Sequence, residues 1–174
     1  DMPDDDYAVS PDHMRGVELL GRYDLTYDLL LRPQHIPAAT KLVDRLENQR
    51  FVVDHIAKPD IAAGALSPWR ERIAALAERE HVYCKLSGMV TEADAESWSS
   101  EDIHPYLDVC LEAFGPSRLM IGSDWPVCTL AGSYVEVMQV VLEYVSRLTV
   151  DEQEAILGRT CAEFYGIEVP HSKE

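Results

Sequence analysis

Four short apolar runs alternate with stretches whose apolar residues recur at helical spacing, and this alternation narrows the possible folds more than any other property of the chain. The runs are Leu25–Leu31, the segment that opens at Phe51-Val52-Val53, His81–Gly88 and Leu119-Met120-Ile121. Each is too short for a helix, and each is stopped by glycine, proline or a charged side chain, the signature of a buried strand. Ser10-Pro11-Asp12 opens a first helix that runs to about Gly21, with serine placed to cap it. Residues 36–48 carry Ala39, Leu42, Val43 and Leu46 on one helical face. Ser67-Pro68-Trp69 opens a further helix, Glu101–Phe114 is ended by Gly115-Pro116, and Tyr134–Arg147 follows the last strand. Thr149-Val150-Asp151-Glu152 is a capping box that starts one closing helix. Asp1–Asp6 reads as an acidic loop, and Met89–Ser100, irregular and holding Trp98, is the kind of segment that covers an active-site mouth.

Strand and helix alternating four times predict parallel strands joined by right-handed crossovers, with helices outside. Four such units are half of a (β/α)8 barrel, which usually needs about 250 residues, and this chain has 174. The expected fold is therefore α/β, a TIM barrel of which residues 1–167 supply the last four units and residues 168–174 a polar tail. A small doubly wound sheet is the competing architecture, but no glycine-rich phosphate loop follows any strand, so no nucleotide cofactor is expected. Half a barrel leaves two unpaired edges, which makes a missing N-terminal half or a second copy the expected partner.

The formal charge of −16 and a pI near 4.6 argue against nucleic acid or an anionic membrane as a partner, since both would be repelled. No run approaches membrane-span length and no charged-then-apolar leader opens the chain. Cys84, Cys110, Cys128 and Cys161 are far apart and lack a Cys-x-x-Cys spacing, which points to reduced thiols and a cytoplasmic location.

Two strand ends carry the chemistry. The run Leu119–Ile121 continues into Gly122-Ser123-Asp124-Trp125-Pro126, and Phe51-Val52-Val53 into Asp54-His55-Ile56-Ala57-Lys58-Pro59. Strand alternation would place Met120, Gly122 and Asp124 on one face, and Phe51, Val53 and His55 on one face. An acid at the carboxyl end of a parallel strand sits where α/β folds keep their active sites, although Asp124 as a helix cap is the plainer reading. Trp125 either walls a ring-shaped substrate or fills core. Lys58 is either a substrate contact or a solvated loop charge. Lys85, inside an apolar strand, must find substrate or a buried acid. One of Tyr27 and Asp28 must face inward, with Tyr27 the weaker candidate for substrate contact. His13, His35, His81, His104 and His171 fall in helix, loop or tail patterns and read as surface.

The segments Val53–Pro59, Cys84-Lys85-Leu86-Ser87-Gly88, Ile121–Pro126 and Phe164-Tyr165-Gly166-Ile167, in this order and spacing, resemble the amidohydrolase-related lactonases of sugar and ring acids, over Asp1 to about Ile167 and corresponding to their C-terminal half. The resemblance implies a metal-dependent-hydrolase barrel and a small-molecule lactone substrate. It implies that Asp124 takes a proton from the attacking water and that His55 polarises the carbonyl. It also implies that His55 and Asp124 are ligands if a zinc-like divalent metal is bound. The His-x-His pair and the basic residue that complete such sites have no counterpart here, which leaves metal-dependent and metal-free mechanisms both open. Thr160 stands where the family often has asparagine. A related decarboxylase or hydratase, or a non-catalytic interaction module, are the alternative functions.

Overall fold

The computed structural model describes residues 4–168. Its elements alternate as the apolar pattern requires: α1 (Pro11–Arg22), β1 (Tyr27–Leu29), α2 (Ile36–Arg45), β2 (Phe51–Val53), α3 (Trp69–Ala77), β3 (Val82–Leu86), α4 (Ser100–Phe114), β4 (Leu119–Ile121), α5 (Tyr134–Val145), α6 (Val150–Glu154) and α7 (Thr160–Tyr165). The strands form one parallel sheet in the order β1-β2-β3-β4. No helix among the described residues is long and apolar enough to cross a membrane.

The register explains which side of the sheet is covered. Leu29, Val53, Cys84 and Leu119 are aligned across all four strands, and all are buried. They meet Leu42 and Val43 of α2, Ile73 and Leu76 of α3, Leu107 and Cys110 of α4, and Val141 of α5 in one apolar core. Each of these helices presents its buried residues three or four positions apart, so one face of the sheet takes all of them. A fully buried aliphatic side chain contributes about 1.5–3 kcal/mol, which makes this layer the main source of stability.

The opposite face is different in kind. Asp28, Val52, Tyr83, Lys85 and Met120 occupy the alternate positions, and a small cluster of Val52, Met120 and Phe164, flanked by Tyr83, Cys161 and Tyr165, is its apolar part. A doubly wound sheet would carry a full helical layer here. Polar side chains on this face, with helices on the other, describe the wall of a barrel. The closing helix reaches this face by an irregularity. It is not continuous, as the capping box alone would suggest, because a π-helical turn, Ala155–Arg159, separates α6 from α7. Ile156 still packs in the helical core, whereas Phe164 lies on the opposite face. The Phe164 carbonyl accepts a 2.7 Å hydrogen bond from Arg50, at the start of β2, so α7 sits near the N-terminal ends of the strands.

Several expectations change. α2 stops at Arg45 rather than Asn48, and α5 at Val145 rather than Arg147. Ser10 is the N-cap of α1, but its hydroxyl makes no capping bond; Pro11, which has no N–H to satisfy, opens the helix. Ser133 does cap α5, accepting from the Glu136 N–H while Glu136 accepts from the Ser133 N–H, and at α6 both the N–H and the hydroxyl of Thr149 donate to Glu152. His13, His35, His81 and His104 are half-buried, not surface residues: His13, His81 and His104 pack on Tyr27, Phe51 and Tyr144, and His35 accepts from the Arg32 N–H and lies 3.5 Å from Asp5; His171 lies outside the described residues. The 89–100 segment is fastened at both ends. Met89 and Val90 are buried, and Trp98 donates a 2.6 Å hydrogen bond from Nε1 to the Ala131 carbonyl.

The base of the sheet depends on one guanidinium. Arg118, just before β4, donates to the carbonyls of Ala77, Arg79, Val82 and Phe114 at 2.9–3.1 Å and stacks 5.4 Å from the Phe114 ring. It thereby ties the end of α3, the start of β3 and the end of α4 together. Orphaning buried acceptors costs about 1–3 kcal/mol. Arg118→Met, which keeps the stem and removes the donors, is expected to lower stability by about 2 kcal/mol in urea unfolding. An unchanged midpoint would contradict this role.

Candidate active site

The chain leaves β2 and β4 in the same unusual way. After Val53, the residues His55, Ile56, Ala57 and Lys58 all have positive φ, at 54°, 46°, 59° and 50°. None is glycine, and one is β-branched. Asp124, three residues past β4, also has a positive φ of 57°. His55 and Asp124 therefore do not continue the alternation of their strands. Alternation therefore does not decide the faces of these two residues, since a left-handed residue redirects its side chain.

The redirected side chains meet. His55 Nε2 lies 3.5 Å from Asp124 Oδ1, with the two side chains 18% and 14% exposed. At the other edge of the ring, His55 Nδ1 is 2.8 Å from Ser87 Oγ, at the end of β3. The turn itself is closed by Lys58 N–H to the His55 carbonyl at 2.8 Å and clamped by Trp69, whose buried indole donates to the Ile56 carbonyl at 2.7 Å. On the β4 side, the Asp124 carbonyl accepts from Cys128 N–H at 2.9 Å. Three adjacent strands thus deliver an imidazole, a carboxylate and a hydroxyl to their C-terminal ends, the edge where parallel α/β folds hold their chemistry.

Beside this pair is an ionic network on the barrel face of the sheet. Lys85 Nζ is 2.5 Å from Asp28 Oδ2 and 2.7 Å from Asp54 Oδ1, and Tyr165 Oη donates to Asp28 Oδ2 at 2.9 Å. Burial lowers the Lys85 pKa, but its hydrogen bonds to Asp28, Asp54 and Tyr165 more than offset this, and the net shift is upward. Burial pushes the Tyr165 phenol up to about 12, with Lys85 drawing it down and Asp28 raising it. Lys85 is thus engaged by two carboxylates, one exposed and one half-buried, so the ion pair of its alternative reading is present, though not with a buried acid. Asp54, directly before His55, is the link from this network to the turn.

The other candidates are placed as follows. Trp125 is 66% exposed, so it does not fill core. Lys58 lies 3.7 Å from Glu92 as a loose ion pair. It also borders a cleft of about 490 Å³ together with Tyr27, Asp28, Arg32 and His35; neither His55 nor Asp124 lines that cleft, which lies to one side of the pair. The inward position of β1 belongs to Asp28. Tyr27 shares the face of its register partner Phe51, meets it edge-on at 6.1 Å and places its hydroxyl 3.3 Å from His13 Nε2. Ser87, Asp54, Trp69 and Tyr165 are not among the candidates read from the sequence, although Asp54, Ser87 and Tyr165 stand inside the motifs that carry the resemblance.

The donor set can be tested against a divalent metal. Zinc with nitrogen and oxygen ligands near 2.1 Å in a tetrahedron separates neighbouring ligand atoms by about 3.4 Å. The 3.5 Å between His55 Nε2 and Asp124 Oδ1 fits two such positions. No group of three or more possible ligands occurs among the described residues, so this chain offers two donors and not a closed site.

Residues 1–167 match the family profile described as Amidohydrolase. The chain is 41% identical to an L-fucono-1,5-lactonase of Burkholderia multivorans (94% of this chain, 59% of the relative) and 39% identical to one of Burkholderia ambifaria (77% and 46%). The solved structure of an amidohydrolase from Burkholderia multivorans, with bound zinc, superimposes with a TM-score of 0.91 at 41% identity over 97% of this chain and 62% of that one. The chain therefore spans about half to three-fifths of the length of these relatives. With the profile covering nearly every residue and the barrel-wall sheet reproduced, the chain belongs to the amidohydrolase family.

Proposed function

We propose that this chain is the C-terminal half of a barrel hydrolase that opens a small lactone of a sugar acid, with Asp124 and His55 as its catalytic residues. The observation that carries the reading is the 3.5 Å approach of His55 Nε2 to Asp124 Oδ1 at the C-terminal ends of two parallel strands, both set on left-handed backbone. Two L-fucono-1,5-lactonases among the relatives support the substrate class. In this reading the unpaired edges of β1 and β4 are completed by the strands of the missing half. Four free cysteines suit a reducing, cytoplasmic setting.

The chemistry needs a base, an electrophile for the developing oxyanion and an acid for the leaving oxygen. Asp124 takes a proton from water as the water oxygen bonds to the lactone carbonyl carbon. His55 donates a hydrogen bond to the carbonyl oxygen as negative charge gathers there. The bond from the carbonyl carbon to the ring oxygen then breaks, and protonated Asp124 returns its proton to that oxygen, leaving the open hydroxy acid. When a divalent metal is bound, held from this chain by His55 and Asp124, it supplies Lewis-acid polarisation and a more acidic water. In this reading Trp125, whose indole is exposed, covers a sugar ring, and Lys58 meets a substrate hydroxyl or carboxylate. Tyr27 lines the cleft that Lys58 borders, but its ring packs on Phe51 on the helical side, which leaves it the weaker candidate for a substrate contact.

Acid release from a panel of aldonolactones and muconolactone-type compounds by the intact protein is expected to show turnover without any nucleotide. Decarboxylation of a related acid, with no lactone opened, would overturn the reading. Within an active protein, Asp124→Asn is expected to reduce kcat by about 100-fold to 10,000-fold, the range for losing a general base or acid, with little change in melting temperature. Asparagine caps a turn about as well as aspartate, so retained turnover would return Asp124 to a purely structural place.

A further inference from the structure

We propose that Ser87 is a positioning residue for His55: its hydroxyl, in a slot kept open by Gly88 and Gly122, holds the imidazole so that Nε2 faces Asp124. The inference rests on the reading of His55 and Asp124 as the active pair and deepens it. Ser87 is 1% exposed, and its Oγ is 2.8 Å from His55 Nδ1. A buried hydroxyl against one ring nitrogen leaves the other nitrogen to the carboxylate.

The slot is built by absence of side chains. Gly88 has φ +66°, and a Cβ there would stand 2.7 Å from both Cβ and Cγ of His55 and 2.9 Å from Nδ1. Nothing at that distance is tolerable, so any residue but glycine would push the ring off its seat. Gly122, after β4, presents its bare Cα to the serine: a Cβ there would approach Ser87 Cβ to 3.1 Å. Gly88 therefore seats the ring, and Gly122 leaves room for the Cβ of the serine beside it. The strand that carries Asp124 also carries Gly122, so the carboxylate and the orienting hydroxyl are set by one backbone.

The hydroxyl is suited to this place by its chemistry. An ionised carboxylate only accepts, so an Nε2–H directed at Asp124 requires Nδ1 to accept from Ser87. When the Nε2 lone pair is given to an electrophile, Nδ1 carries the proton and Ser87 accepts it. A carbonyl or carboxylate in the position of Ser87 would permit only the second arrangement. Serine can take either role without moving; facing Asp124, its donated hydrogen bond to Nδ1 adds to the carboxylate's hold on Nε2–H, so the free site favours the first arrangement.

The test is nitrogen-15 histidine labelling of the intact protein, with long-range proton–nitrogen correlation reporting which ring nitrogen of His55 is protonated. The His55 signals are assigned by their loss in His55→Asn. Wild type is expected to show one tautomer and Ser87→Ala a mixture of two. Ser87→Ala is also expected to lower kcat by about 10-fold to 100-fold, the usual effect of removing a partner of a functional imidazole, with KM shifted by no more than about threefold. Ser87→Cys, close in shape and a weak hydrogen-bond partner, carries the same readouts if alanine prevents folding and is expected to fall between. An unchanged tautomer in both variants, or kcat within twofold of wild type, would overturn the proposal. A shifted tautomer in a protein that opens no lactone would keep Ser87 as the partner of His55 and remove the lactonase reading alone.

Discussion

A left-handed turn of four non-glycine residues, His55–Lys58, is the constraint on which the rest of the site depends. Left-handed backbone costs an L-residue about 1–2 kcal/mol, so the run stores several kcal/mol that surrounding contacts must offset. Those contacts come from all sides. Ile56 and Ala57 are fully buried, Trp69 fixes the Ile56 carbonyl, Lys85 grips Asp54 immediately before the turn, and Ser87 meets the imidazole. Helix α3 and strand β3 are thus as much part of the site as the strand that carries His55. A relaxed β2 would simply run on, and its histidine would point away from Asp124.

The two faces of the sheet divide the work. The helical face is continuous and apolar, and it sets strand order and spacing. The barrel face carries a lysine, two aspartates and a tyrosine whose charges and hydrogen bonds satisfy one another, closed from below by α7. A half-buried amine with only one carboxylate would be costly, and two carboxylates without it costlier, so the network is either complete or a liability. Its completeness fixes the ends of β1, β2 and β3 and the closing helix relative to one another. That rigidity is what lets side chains from separate strands meet within hydrogen-bond range.

Much of this was legible in the sequence, for a physical reason. Period-2 and period-3.6 patterns are local, and they placed all four strands and the helices that cover them, including the proline start of α3 and the glycine stop after Phe114. What escaped was whatever depended on backbone sign or on distant partners. Histidine is among the residues that visit left-handed backbone, but nothing in Ile56-Ala57-Lys58 announces that the turn continues, because glycine and asparagine, its usual markers, are absent. Alternation could not set where the side chains of His55 and Asp124 point, because it holds only while the backbone stays extended, whereas their position at strand ends is independent of backbone sign. Lys85 could be seen to need a partner, but Asp28, Asp54 and Tyr165 are far from it in sequence, and only the fold selects among many acids. The π turn that carries Phe164 and Tyr165 across the sheet end has no mark within the capping-box pattern.

The central claim is that His55 and Asp124 act as one unit, and a double-mutant cycle on kcat measures this directly. His55→Asn, Asp124→Asn and the double variant are compared with wild type in the intact protein under one set of conditions. Residues that act as a unit are strongly non-additive, so the double variant is expected to be about as slow as the slower single variant. Losses that multiply, as they do for distant independent sites, would mean that the 3.5 Å approach has no part in the reaction.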